Sequence, residues 1–196
     1  MKRNRPRLED LEGSASGPHR AVAAFSTDRD DPPSGAFIIG PYRYRLWRTF
    51  DHGDQSHRIL FVMLNPSTAN AAQDDPTLRR CIGFASDWGF GSLEICNLFA
   101  YRATNPSALG RIRDPIGREN DNHIVEAAGR ATLIVAAWGT RGGLLGRASL
   151  VTSLLTRSCE LLCLGTTIGG APRHPLYVRR DASLVIYATR RSAADA

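Results

Sequence analysis

Ile59-Leu60-Phe61-Val62-Met63-Leu64-Asn65-Pro66-Ser67-Thr68-Ala69 is the stretch from which the fold follows. It opens on an unbroken apolar run, rich in β-branched and aromatic types, that is too short for an ordinary helix and suits a strand buried on both faces. Pro66 lacks the N–H that a central strand must donate, so the strand stops at Asn65. Small polar residues follow, then Asp74-Asp75-Pro76-Thr77, where Asp75 can cap a helix and Pro76 can occupy its first turn. A buried strand that ends abruptly in polar residues is where open α/β sheets place their ligands. A candidate site is therefore in view before any motif is named.

Downstream, Leu78, Cys81, Ile82 and Ala85 fall at helical spacing and Gly89 closes the helix. Leu93-Glu94-Ile95-Cys96-Asn97-Leu98-Phe99 predicts a second strand, running into Tyr101-Arg102-Ala103-Thr104-Asn105-Pro106. A helix is expected near 119–130, a third strand over 133–139, a helix over about 145–157 and a fourth strand over 161–165. The fourth runs through Thr166 to Arg173 and into His174-Pro175-Leu176-Tyr177; Leu184-Val185-Ile186-Tyr187 fits an edge strand or a helix. Upstream, residues 42–50 alternate with a period near two, predicting an edge strand with one packed face. Asp51-His52-Gly53-Asp54 then turns back into the central strand. The whole predicts a three-layer α/β/α sandwich around a mainly parallel four-stranded sheet, with an N-terminal edge strand or hairpin. Right-handed crossovers carry all the parallel strand ends to one edge, which would gather Asn65, Asn97, Gly139 and His174.

Residues 1–35 carry few large apolar side chains and read as a mobile tail, leaving 36–196 as a single domain. No apolar run approaches a membrane span and no secretory signal is evident, so a cytoplasmic protein with no membrane partner is expected. Cys81, Cys96, Cys159 and Cys163 form no C-x-x-C pair and sit mostly in apolar stretches; buried free thiols are expected, with no metal and no cofactor. Net charge is +6, and 24 of the 25 basic residues are Arg. Residues 1–35 balance their charges, so the excess lies on the domain, compatible with a phosphate backbone as partner. An arginine-rich coding bias explains the same composition equally well.

Gly139-Thr140-Arg141-Gly142-Gly143 matches neither a P-loop nor G-x-G-x-x-G, and G-x-S-x-G is absent. What remains is two strand-end amides and a loop histidine. The ordered set LNPSTA, DDPT, NLFAYRATNP, AAWG and PRHPLYV, over residues of about 42–180, resembles a bacterial family of unknown-function domains. These motifs are in turn similar to the uracil-DNA glycosylase superfamily. Met63-Leu64-Asn65-Pro66-Ser67 resembles the water-activating motif in its Asn-Pro form, and 93–97 resembles the strand whose terminal Asn reads the pyrimidine edge. Residues 134–139 resemble the superfamily's third strand, and His174-Pro175-Leu176 its His-Pro loop.

The resemblance implies a DNA glycosylase fold and a DNA partner, single- or double-stranded, with a flipped pyrimidine and no obligate protein partner. Asn65 would orient water, His174 would donate to the departing base, and Asp75 would assist. Met63, Leu64, Pro66, Ser67, Thr68 and Asn97 would hold the base. Leu176 or Tyr177 would fill the vacated stack, while Arg102, Arg173, Arg179 and Arg180 would meet phosphates. The chemistry fits on its own terms: breaking an N-glycosidic bond needs a placed water, donors aimed at the base oxygen and a pocket for the extruded nucleotide. Ser67 and Thr68 stand where uracil-specific relatives often carry a bulky aromatic, which leaves room at C5. A C5-modified pyrimidine, such as the hydroxymethylated or glucosylated cytosine of phage DNA, is therefore an expected substrate, beside uracil in repair. Two alternatives stay open, an N-glycosidase of free nucleosides or nucleotides and a non-catalytic nucleic-acid module. Each residue also has an ordinary explanation: Asn65 can end a strand by a side-chain turn bond, and Asn97 can satisfy a loop backbone.

Overall fold

Strand β3, Asp54–Met63, runs through the middle of the molecule. Ile59, Phe61 and Met63 pack on one side against Leu78, Cys81, Phe84 and Ala85 of helix α1, Pro76–Asp87. Leu60, Val62 and Leu64 pack on the other against helices α2, Asn120–Arg130, and α3, Arg147–Leu155. The half of the strand covered on both faces has no side to give to water, which is why Ile59 to Met63 are continuously apolar rather than alternating. Each large apolar side chain buried this way contributes roughly 1.5–3 kcal/mol.

The computed structural model describes residues 33–50, 53–67 and 73–189, so Thr68 and all but the end of the 1–35 segment lie outside the described residues. Around β3 lie β1 (Ser34–Ile39), β2 (Tyr42–Thr49), β4 (Phe90–Asn97), β5 (Leu133–Ala136), β6 (Leu161–Cys163) and β7 (Val185–Ala188). They form one seven-stranded sheet in the order β1-β2-β4-β3-β5-β6-β7. β4, β3, β5 and β6 run parallel, while β1, β2 and β7 add antiparallel flanks. The fold is thus mixed α/β, with helices on both faces of the sheet.

One local expectation is corrected: the strand from Tyr42 is not at an edge, because β1 covers it and β4 flanks its other side. The chain passes from β2 to β3 without pairing them, because β4 lies between the two, delivered there by the parallel crossover through α1; Asp51 and His52 of the expected turn lie outside the described residues. The other elements stand within a few residues of their expected places, and the last apolar run is an edge strand. Asp75 caps α1 as expected, its Oδ1 accepting from the Leu78 N–H at 2.7 Å. The four cysteines are free thiols, and no helix among the described residues is long and apolar enough to cross a membrane.

Much of the arginine is structural. Glu94 of β4 is fully buried, and its carboxylate meets Arg45 Nε at 2.5 Å, Arg58 Nη1 at 3.2 Å and Arg130 Nη2 at 3.2 Å. That cluster ties β2, β3, β4 and the end of α2 together. Arg147 of α3 is buried as well, donating from Nε to the Leu98 carbonyl at 3.0 Å and from Nη2 to Asp121 at 2.5 Å.

Candidate active site

A cavity of about 440 Å3 opens at the C-terminal ends of the parallel strands. Met63, Leu64, Asn65 and Ser67 enter it from β3 and the turn beyond, Asn97 from the end of β4, and Trp138 to Arg141 from beyond β5. His174, Leu176 and Tyr177 come from the segment after β6, and Asp75 and Thr77 from the start of α1. The sequence-predicted trio of Asn65, Asn97 and His174 therefore shares one space, with Asp75 beside it.

Asn97 is the most informative of the three. It is only 1% exposed, and its Nδ2 has no hydrogen-bond partner among the described residues. A buried donor left unmade costs about 1–3 kcal/mol, so a fold keeps one only for a reason. The backbone around it is held firmly. Asn120 of α2, itself fully buried, donates from Nδ2 to the Asn97 carbonyl at 2.9 Å and the Leu98 carbonyl at 3.1 Å, and Arg147 donates to the same Leu98 oxygen. The amide is thus unpaired at the side chain and fixed at the main chain.

Asn65 spends its amide nitrogen on the carbonyls of Pro66, at 3.0 Å, and Ala103, at 2.7 Å. Those bonds orient the group so that its Oδ1 is the atom left to accept from a ligand or water. Pro66 does not line the cavity; its carbonyl accepts from Ala103 N–H at 3.0 Å and anchors the Tyr101–Pro106 loop. His174 Nδ1 accepts from the Leu176 N–H at 3.4 Å, which puts the ring proton on Nε2. Burial lowers its pKa from the ordinary 6.5, and the Asp75 carboxylate offsets only part of that. The ring is a neutral donor at pH 7. Arg80 of α1 fixes this turn by donating to the carbonyls of Pro175 and Val178.

Gly139, with φ of 73°, makes the turn out of β5 in a conformation that favours glycine, and its N–H donates to Pro172 at 3.0 Å. Gly142 is required by contact: a Cβ there would stand 2.2 Å from the Trp138 ring that walls the cavity. Leu176 and Tyr177 are exposed at the rim, the latter by 82%.

Arg102, Arg173 and Arg179 stand outside the cavity lining. Arg173 donates from Nε to the Thr166 carbonyl at 3.0 Å, Arg179 pairs with Asp181 at 3.0 Å, and Arg180 pairs with Asp87 at 3.0 Å. Conversely, Arg43, Thr77, Trp138, Thr140 and Arg141 line the cavity without having been foreseen as site residues. Arg141 had a signal in the Gly-rich turn after a buried strand; its Nη1 donates to Ser107 Oγ at 2.9 Å. Arg43 had none, because regular alternation sets it on the same face as Arg45. The register between β1 and β2 steps from Phe37–Arg45 to Ile38–Arg43, leaving Tyr44 as an extra residue in a bulge. Tyr44 and Arg45 then share the α2 side, one against His123 at 4.8 Å and the other on Glu94, and Arg43 turns to the cavity.

No curated protein and no solved structure matches the chain. Residues 43–176, more than half of the chain, match the family described as "Protein of unknown function (DUF1643)", and the span runs from the bulged strand to the rim of the cavity. The chain belongs to that family.

Proposed function

We propose that the chain is a DNA glycosylase that takes a pyrimidine out of the stack and hydrolyses its N-glycosidic bond, leaving an abasic site. The observation that carries this reading is the unpaired, 1%-exposed amide of Asn97 in the wall of a cavity it shares with Asn65 and His174. A carboxamide fixed by its backbone and unmatched at its side chain suits a base edge, which supplies both a donor and an acceptor.

The reaction divides among these groups. The Asn65 Oδ1 accepts a hydrogen bond from water and aims its oxygen at the sugar carbon. As the bond to the base nitrogen breaks, the electron pair moves onto the base and its exocyclic O2, and the neutral His174 Nε2–H donates to that oxygen. One such donor is worth roughly 2.7–4 kcal/mol in comparable oxyanion sites. The proton lost by water passes to solvent or to the Asp75 oxygen that does not cap α1. Ser67 adds little bulk at the cavity, which supports a pyrimidine enlarged at C5. Modified phage DNA is one source of such bases and would make the protein an antiviral factor.

A second reading, an N-glycosidase of free nucleosides, is favoured by one observation: Arg179 and Arg180 are already paired with Asp181 and Asp87. Incubating duplex and single-stranded oligonucleotides bearing uracil or modified cytosines, followed by alkali, separates the two. Strand scission supports the glycosylase; turnover of nucleosides alone supports the alternative.

A further inference from the structure

We propose that the connection between β4 and α2 is the surface along which a DNA strand lays its phosphates, held there by Arg102, Arg111 and Arg113. The proposal rests on the reading of DNA as the substrate and adds to it the path of the backbone past the cavity.

All three arginines are exposed, and none of their guanidinium groups has a hydrogen bond or an acidic partner among the described residues. That sets them apart from Arg179 and Arg180, beyond Tyr177, which Asp181 and Asp87 already neutralise. The connection itself, residues 98–119, carries four arginines against Asp114 and Glu119. Both carboxylates are engaged locally. Asp114 Oδ1 accepts from the N–H groups of Ile116 at 3.1 Å and Gly117 at 2.9 Å, and Glu119 Oε2 accepts from Asn122 Nδ2 at 3.0 Å. Exposed cations with no carboxylate to neutralise them suit a polyanion.

The connection is pinned at the cavity mouth. Arg102 precedes Ala103 and Thr104, which line the cavity, and Asn65 donates to the Ala103 carbonyl at 2.7 Å. Pro106, also in the lining, opens a short 3-10 helix, Pro106–Arg111, whose Leu109 is buried in the core beneath α2. Arg141 ties this helix to the turn after β5 through its bond to Ser107 Oγ at 2.9 Å. The far end returns to its start: Tyr101 N–H donates to the Pro115 carbonyl at 3.1 Å, and the Tyr42 hydroxyl donates to that of Asp114 at 3.0 Å. At about 2 Å of rise per residue, Arg111 stands about 10 Å along from Pro106. One DNA strand carries a phosphate every ~3.4 Å of axis, so a span of that length offers about three. Backbone fixed in this way holds the cations in place before the strand arrives, which lowers the cost of ordering them.

The test is fluorescence anisotropy of a labelled DNA duplex of unmodified bases, titrated with the full chain at several salt concentrations. Between 50 and 200 mM the wild type is expected to lose roughly 40-fold in affinity, as about three phosphate contacts require. Arg102→Gln/Arg111→Gln/Arg113→Gln, with its thermal unfolding unchanged, is expected to lose no more than about threefold over the same range. The corresponding triple lysine variant should keep most of the wild-type dependence, and Arg179→Gln/Arg180→Gln should keep all of it. Arg111→Gln and Arg113→Gln made singly should each take about 0.9 from the logarithmic slope, which preserves the test if the triple variant does not fold. A salt-independent wild type overturns the proposal. So does a wild-type slope that survives in the folded triple variant or in both single variants, or one that is lost in Arg179→Gln/Arg180→Gln. A loop-dependent slope in a chain that excises no base from marked oligonucleotides keeps the surface and rejects the glycosylase reading. Excision with a slope indifferent to these arginines does the reverse.

Discussion

At the scale of single residues, Asn97 distinguishes a functional amide from a structural one. An unpaired buried donor destabilises the fold, so an apolar residue of the same shape should relieve it. Asn97→Leu is expected to leave the thermal midpoint unchanged or raise it by a few degrees, while lowering excision by about 100-fold or more. A structural amide would give the opposite pattern, with stability falling and any remaining activity kept. His174 makes a prediction in pH. Its folded pKa lies below the ordinary 6.5 because burial disfavours the cation. As pH falls below 6.5 the unfolded chain takes up this proton before the folded one, so stability declines from there down to the folded pKa and is unaffected above. The acid limb of the excision profile should therefore have its midpoint below 6.5, and His174→Gln should abolish that limb. A midpoint above 6.5 would contradict the neutral donor. Both residues were legible in the sequence because each ends or follows an apolar run. Arg43 was not: one extra residue in its strand inverted the face it was expected to take.

Among the elements, the central strands could be read because burial on both faces leaves an unmistakable apolar run in β3, β4, β5 and β6. The flanks were harder. β1 holds only the short apolar run Ala36 to Ile39 between two glycines, too brief to show a period, and Phe37, Ile38 and Ile39 are substantially exposed. The neighbour of β2 depended on a crossover far along the chain, which local turn chemistry does not encode. Glu94 shows a different kind of blindness, since a carboxylate inside an apolar strand reads as a surface residue until its partners are known. Here it neutralises arginines from β2, β3 and α2. Glu94→Gln leaves those cations around a neutral group and should destabilise the fold by about 3–5 kcal/mol. The urea midpoint measures it, and a loss under 1 kcal/mol would mean that the cluster is solvated rather than structural.

For the whole molecule, the net charge of +6 overstates what is available to a polyanion. Arg45, Arg58, Arg130 and Arg147 serve internal carboxylates or carbonyls, and Arg179 and Arg180 have acidic neighbours at the surface. Affinity for DNA should therefore depend on few phosphate contacts. With about three, raising salt from 50 to 200 mM weakens duplex binding roughly 40-fold. A salt-independent affinity would favour small nucleosides as the substrate. The account depends above all on chemistry at the shared cavity. The most direct measurement is alkali-revealed strand scission of oligonucleotides carrying uracil or a C5-hydroxymethylated pyrimidine, using wild-type protein beside Asn65→Ala. The account predicts scission at the marked base by the wild type and its loss in a folded Asn65→Ala variant. Intact strands from both proteins, or equal scission by both, would contradict it.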